Sequence, residues 1–473
     1  MSRRAFTIMA VLMLLVPLLA TLGGRGAVAQ DASPVAGASP AAMQMQPDPS
    51  VSGTIDVGMV GNPQMVTLQQ LVEKGEFNKV YPNVKVNLTV LPENEIRQTI
   101  TQDVSTQSGQ FDLFTVGTFE VPLWGKNGWL EEVGDDVAND TTYDLNDIFP
   151  AHRDGLSSDG KLYGLPFYGE SSMTFYRKDL FEKAGIEMPE RPTWQQIGEF
   201  ARKLHDPQGG TYGICLRGLP GWGEQLAPLT TVINAYGGRW YDEDWKAQLD
   251  SKESSDAIRF YIELLQQAGE PGAEQAGFTE CETLFNQGKV AMWYDATSAA
   301  DLISDPSLNP NAANVGYAYP PSAALPTGSW LWNWSFAMAK NTDAKDASLA
   351  FMKWATSKDY VNLVGSTSGL GWGKAPTGSR QSTYANPAYE KYASGFYKIV
   401  LSAIKEANPN KPTRDPVPYT GGQFVRIPEF QDLGNNVSQQ FAAAIVKQQS
   451  VDDAIKKAND LANQTAIDGG YQT

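Results

Sequence analysis

The chain has 473 residues, 42% of them hydrophobic, and a formal net charge of -16 at neutral pH. That charge excludes a binder of nucleic acid and disfavours anionic partners as a class, because polyanions need a basic field and basic clusters. Two histidines, His152 and His205, and two cysteines, Cys215 and Cys281, are too few for a His- or Cys-rich metal centre, and neither a metal nor a cofactor is expected.

In chain order, the first element is a targeting segment. Ser2-Arg3-Arg4-Ala5-Phe6, an apolar stretch from Ile8 to Leu22 and the small residues Ala27-Val28-Ala29 read as an export signal over 1–29, cleaved before Gln30. The apolar stretch falls short of the roughly 20 residues of a comfortable membrane span, and no later segment reaches that length without charges. Arg3-Arg4 followed by Phe6 fits both the twin-arginine export pattern and an ordinary n-region with two arginines. No cysteine follows the stretch, which excludes lipid attachment there. Residues 30–52, rich in Ala, Pro, Ser and Gln, are expected to be a disordered tether. The remaining roughly 420 residues exceed one core of ordinary size. No internal linker resembles the tether, so the chain is expected to cross between two lobes more than once and to leave a cleft at the crossing.

Thr54 to Val60 reads as a strand, and Asn62-Pro63 opens a helix through about Val80, with Asn as cap and Pro in the first turn. Val84 to Leu91 is a second strand, Glu93 to Thr106 a helix and Phe111 to Val116 a third strand, the start of a parallel α/β sheet. Val290 to Tyr294 is a short apolar strand. Thr193-Trp194-Gln195-Gln196 is a capping box, and amphipathic helices are predicted near 251–268, 344–357, 429–448 and 451–466, making the C-terminal third mostly helical.

In open α/β sheets, ligands sit beyond the carboxyl ends of the strands. Asn62, then Glu93 and Asn94, then Thr118, Phe119 and Glu120 follow three successive strands and are candidate ligand residues. Asn62 is equally explained as a helix cap, and Glu93 and Glu120 as acidic residues favoured at helix N-termini. Glu170, between Gly169 and Ser171, can accept two hydroxyl protons at once. Asp295, just past a strand, either faces a ligand or caps the next helix. Arg217 can donate to two hydroxyls or hold Asp295 or Glu170 in place. Trp222, between Gly221 and Gly223, and Trp372, in GLGWGKAP, are loop tryptophans suited to stacking or to closing a cleft. Cys215 and Cys281 in an exported chain are a plausible disulfide, worth roughly 3 to 4 kcal/mol on the chain-entropy model; two buried thiols are the alternative.

The stretches FDLFTVGTFEVPLWGKNGWL, GLPFYGESSMTFYRKDLFEKAGI, GICLRGLPGWGE, NQGKVAMWYDATSAA and GSWLWNWSFAM together resemble the extracellular solute-binding proteins of ABC importers, family 1, and within them the sorbitol and mannitol binding branch. The resemblance runs from about Gly53 to the end. It implies a two-lobed α/β periplasmic-binding-protein fold of type II, a Venus flytrap that captures a hexitol or sugar, works as a monomer outside the cytoplasm and delivers its ligand to an ABC permease. Lobe 1 is expected to comprise 53–166 with 297–340 and lobe 2 to comprise 167–296 with 341–473, with crossings near Phe167, Ala296 and Lys340.

A secreted glycoside hydrolase using Glu120, Glu170 or Asp295 is the competing class. No G-x-S-x-G elbow, H-E-x-x-H pair or phosphate loop is present. Trp330, Trp332 and Trp334 alternate along GSWLWNWSFAM, placing three indoles on one face of a strand. That face suits the C–H faces of a carbohydrate or polyol. Phe336 and Met338 continue the stripe, so the strand is expected to be graded, with stacking at the Trp330 and Trp332 end, core packing at the far end and Trp334 open to either.

Overall fold

The computed structural model describes residues 45–325 and 330–472; the export signal and most of the predicted tether lie outside them. The last tether residues are anchored rather than loose. The Met45 N–H donates to Asp359 (2.7 Å) and the Asp48 N–H to the Val80 carbonyl (2.7 Å). The following residues run directly into the first strand, where paired backbone groups outweigh the cost of ordering them.

Strand β1 (Ser52–Val60) and helix α1 (Pro63–Glu73) are followed by β2 (Asn83–Leu91), α2 (Glu93–Thr106), β3 (Leu113–Gly117) and α3 (Glu120–Lys126). The Asn62 side chain accepts from the Met65 N–H and Pro63 opens the turn, as the sequence signals require. The helix stops well before Val80. Gly75 adopts φ +78°, which ends it, and Phe77–Lys79 forms a separate 3-10 turn. β1 pairs in parallel with β2 from Ser52↔Asn83 to Val60↔Leu91 and with β3.

β4 (Gly164–Glu170) and β5 (Ser172–Arg177) are consecutive in sequence but belong to different sheets. α4 (Trp194–Leu204) carries the predicted capping box, with Thr193 and Gln196 bonded reciprocally. α5 (Lys252–Ala268), α6 (Phe278–Asn286), β6 (Met292–Ala296), β7 (Val315–Ala318) and β8 (Trp332–Met338) follow, then α7 (Lys345–Ala355), α8 (Phe430–Ile445) and α9 (Val451–Asp468). The first sheet has the order β2-β1-β3-β8-β4 and the second β6-β5-β7. Only the first three strands are parallel. β8 runs antiparallel to both β3 and β4, and β5 runs antiparallel to both its neighbours.

This two-lobed α/β architecture corrects the lobe boundaries. The chain leaves the first sheet at Ser171, whose carbonyl accepts from the Thr297 N–H (2.8 Å), close to the expected crossing at Phe167. It does not return at Ala296, because β7 pairs with β5 in the second sheet; it returns at β8. Nor does it leave again at Lys340, because α7 packs on the first sheet, with Phe351 against Phe336 at 5.6 Å. Further along, Gly378 packs so closely on Gly169 of β4 that a Cβ there would come within 1.7 Å of the Gly169 carbonyl oxygen.

Candidate functional site

Where the two sheets meet, a cavity of about 410 Å³ opens at the carboxyl ends of β1 and β2, within the usual range of roughly 300–1,000 Å³ for small-molecule sites. Its first-lobe wall is built by the loop after β1 and the first two turns of α2. The Asn62 amide, already the cap of α1, donates to the Tyr168 hydroxyl (3.0 Å). Glu93 and Arg97 stand one helical turn apart, with Nε of Arg97 3.0 Å from Glu93 Oε1. Behind them Arg97 pairs with buried Glu120 (2.5 Å). The guanidinium carbon lies 4.3, 5.0 and 4.5 Å from the ring centres of Trp222, Trp332 and Trp334, so three indoles cap one cation.

The second-lobe wall is organised by Arg217. Asp295 takes it in a bidentate pair, Nε to Oδ2 at 2.9 Å and Nη2 to Oδ1 at 2.5 Å, and is itself fully buried. Nη1 donates to the Gly223 carbonyl (3.0 Å) and lies 3.4 Å from Glu224. The Trp222 loop is tied to α8 by Gly221 N–H to Ser438 Oγ (2.9 Å) and Trp222 N–H to Asn435 Oδ1 (3.1 Å). A disulfide joins Cys215 to Cys281. It connects the extended segment leading into Arg217 with α6, whose Phe278 also lines the cavity.

Glu170 closes the junction between the lobes. It ends β4 opposite Trp332 in register and accepts from the Ser298 hydroxyl (2.6 Å). Burial pushes its carboxyl up to about 8, against the pull of the Ser298 bond and Arg217. Burial and the facing carboxylate of Glu93 push Glu224 up to about 8 as well.

Nine of the residues singled out from sequence line this cavity: Asn62, Glu93, Asn94, Glu170, Arg217, Trp222, Trp330, Trp332 and Trp334. Trp330, Trp332 and Trp334 all line the cavity and are all buried, with no gradient among them, while Phe336 and Met338 lie fully buried in the core beyond. Five others do not line the cavity. Glu120 and Asp295 stand behind the two arginines as their counter-ions. Phe119 is inserted into an aromatic socket, 4.7 Å from Trp222 and 5.4 Å from Phe424. The Thr118 carbonyl accepts from Arg426 (2.9 Å). Trp372 packs on Tyr389 at 5.3 Å; two loop glycines were too little to place it in the cleft. Among residues the sequence left unassigned, Arg97, Tyr168, Glu224, Ser298 and Gln423 line the cavity. Arg97 had a readable signal, four residues after Glu93 on a predicted helix. Ser298 and Gln423 had none.

The family model described as bacterial extracellular solute-binding protein matches residues 61–362. The mannitol-binding protein of Pseudomonas aeruginosa is 44% identical over 419 residues, 88% of this chain and 94% of its own. A crystal structure of an ABC transporter solute-binding protein from Agrobacterium vitis S4 with bound D-mannitol is 45% identical, has a TM-score of 0.86, and covers 89% of this chain and 100% of that one. The fold is shared more distantly by a solute-binding protein from Agrobacterium radiobacter K84 in complex with ribitol, 24% identical with a TM-score of 0.77, covering 88% of this chain and 100% of that one.

Proposed function

The chain belongs to the bacterial extracellular solute-binding proteins, and on that premise we propose that it captures a hexitol such as mannitol or sorbitol outside the cytoplasm and delivers it to an ABC permease. The observation that carries this reading is a cavity whose walls come from both lobes and combine indole faces with carboxylates and guanidinium groups. A polyol presents exactly these needs in reverse: apolar C–H edges for the rings, and hydroxyls that both donate and accept. Glu170 and Glu93 accept hydroxyl protons, and Arg217 and Asn62 are placed to donate. Because the residues sit on both lobes, ligand contacts are complete only when the lobes are together, so binding selects the closed arrangement.

A glycosidase fits this site poorly. Glu120 and Asp295 are spent on arginines behind the walls, and Glu170 alone of the three suggested acids lines the cavity. The protein is a binding protein and, in our reading, performs no catalysis. Among the described residues, no helix is long and apolar enough to cross a membrane, consistent with export and with capture of a free ligand.

The test is titration of the purified protein with D-mannitol, D-sorbitol and ribitol, following tryptophan fluorescence, Tm and small-angle scattering. The expected result is quenching or a blue shift, a raised Tm, compaction and intact ligand. No response to any hexitol at millimolar concentration, or turnover of an aryl glycoside, would overturn the reading.

A further inference from the structure

The charge balance of the cavity is uneven. Two guanidinium groups, those of Arg97 and Arg217, stand among six carboxyl groups: Glu93, Glu170, Glu224 and Glu280 line the cavity, and Glu120 and Asp295 lie behind its walls. Glu120 and Asp295 neutralise the arginines from behind, at 2.5 Å in each case. Glu93 and Glu224 share those same guanidinium groups at 3.0 and 3.4 Å, and Glu170 rests on a serine hydroxyl. No lysine and no third arginine lines the cavity among the described residues. Four carboxyl groups therefore line the ligand space, while the only two guanidinium groups there are already matched by Glu120 and Asp295.

Their arrangement brings the lobes' charges together. Glu93 comes from the first lobe and lies so close to the Gly223 backbone that a Cβ on Gly223 would stand 2.5 Å from Glu93 Oε1. Glu224, the next residue, comes from the second lobe and is 7% exposed. Two acceptor groups thus flank one end of the cavity, where the Glu93 charge adds to burial in holding Glu224 protonated.

We propose that this cavity binds amino polyols, acyclic polyols with a terminal ammonium in place of one hydroxyl, more tightly than neutral polyols, and rejects polyols that carry a carboxylate or phosphate. The inference rests on the polyol-receptor reading. An ammonium donates three hydrogen bonds and accepts none, which matches an end lined by Glu93 and Glu224. A bound cation restores the ionised state of carboxyls that burial holds protonated. A carboxylate or phosphate would meet four acidic acceptors, and the positive charge of both guanidinium groups is already matched by Glu120 and Asp295.

Calorimetric titration of the whole protein at pH 7 with D-mannitol, 1-amino-1-deoxy-D-mannitol and D-mannonate tests this. The amino hexitol is expected to bind at least about tenfold more tightly than mannitol, and mannonate at least about a hundredfold more weakly. In Glu224→Gln, and separately in Glu93→Gln, the amino advantage should fall to about twofold or less. Mannitol binding with a smaller amino advantage in the unmodified protein, or mannonate binding within tenfold of mannitol, overturns the inference and leaves the receptor reading standing. An advantage undiminished in both variants overturns the Glu93 and Glu224 assignment. Binding of none of the three defeats the receptor reading itself.

Discussion

Arg97 in the first lobe and Arg217 in the second each have a buried carboxylate behind them and a second carboxylate beside them, yet they are held differently. Arg217 is locked by a bidentate pair with Asp295, while Arg97 divides its hydrogen bonds between Glu93 and Glu120 and fills the remaining space with three indole faces. One of those indoles, Trp222, comes from the opposite lobe. The Arg97 end is thus completed across the cleft, whereas the Arg217 end is complete within its own lobe. A closing receptor gains from that asymmetry: one wall stays fixed while the other is finished by closure.

Removing the counter-ions separates the two ends most strongly. Asp295→Ala strands a buried arginine and is expected to cost about 3–5 kcal/mol, whereas Glu120→Ala leaves Arg97 with Glu93 and the rings and should cost about 2 kcal/mol. Urea midpoints at constant m-value report both, and equal losses would break the comparison.

Glu170→Gln probes the junction between the ends. It should weaken hexitol binding about 10- to 100-fold and leave the ligand-free urea midpoint nearly unchanged, because the carboxyl is already protonated at neutral pH, with its pKa at about 8. A ligand-free variant that loses cooperative unfolding would make Glu170 a structural residue. A smaller effect distinguishes cleft from packing tryptophans: Trp330→Phe should reduce hexitol affinity about 3- to 10-fold, while Trp372→Phe leaves it unchanged by calorimetry.

The smallest expected effect is on pH dependence. Glu170 and Glu224, at about 8, and Glu270, Glu282 and Asp301, at about 7, are raised first of all by burial. The folded protein therefore holds protons that the unfolded chain releases, and stability falls as pH rises from the ordinary carboxyl range near 4.5 through the folded values of about 7 and 8, the last of the loss coming between about 6.5 and 8.5. Between about 4 and 6.5 His152, lowered by burial to about 4, acts in the opposite sense, since the unfolded chain then binds the extra proton. The ligand-free Tm should drop by a few degrees between pH 6.5 and 8.5, and an increase would contradict the burial of these carboxyls.

Much of the fold was legible because its signals are local. The cap at Asn62, the capping box at Thr193 and the amphipathic periods of the C-terminal helices need only neighbours within four residues. The strand-end argument found Asn62 and Glu93 because backbone geometry carries side chains at those positions toward one rim of a sheet. Thr118, Phe119 and Glu120 do not line that rim: Phe119 fills the aromatic socket, Glu120 pairs with Arg97, and the Thr118 carbonyl accepts from Arg426.

The sequence by itself determined the class of site, since hydrogen-bond type and ring chemistry belong to residues wherever they lie. It also determined the alternation of Trp330, Trp332 and Trp334, which follows from the period of a strand. Tertiary structure alone decided which carboxylates face the cavity and which stand behind arginines, because that depends on pairings between residues as distant as Arg217 and Asp295. It likewise placed the return of the chain to the first sheet at β8. Pairing of β7 with β5 and packing of α7 on the first sheet are long-range contacts, and no local pattern encodes them.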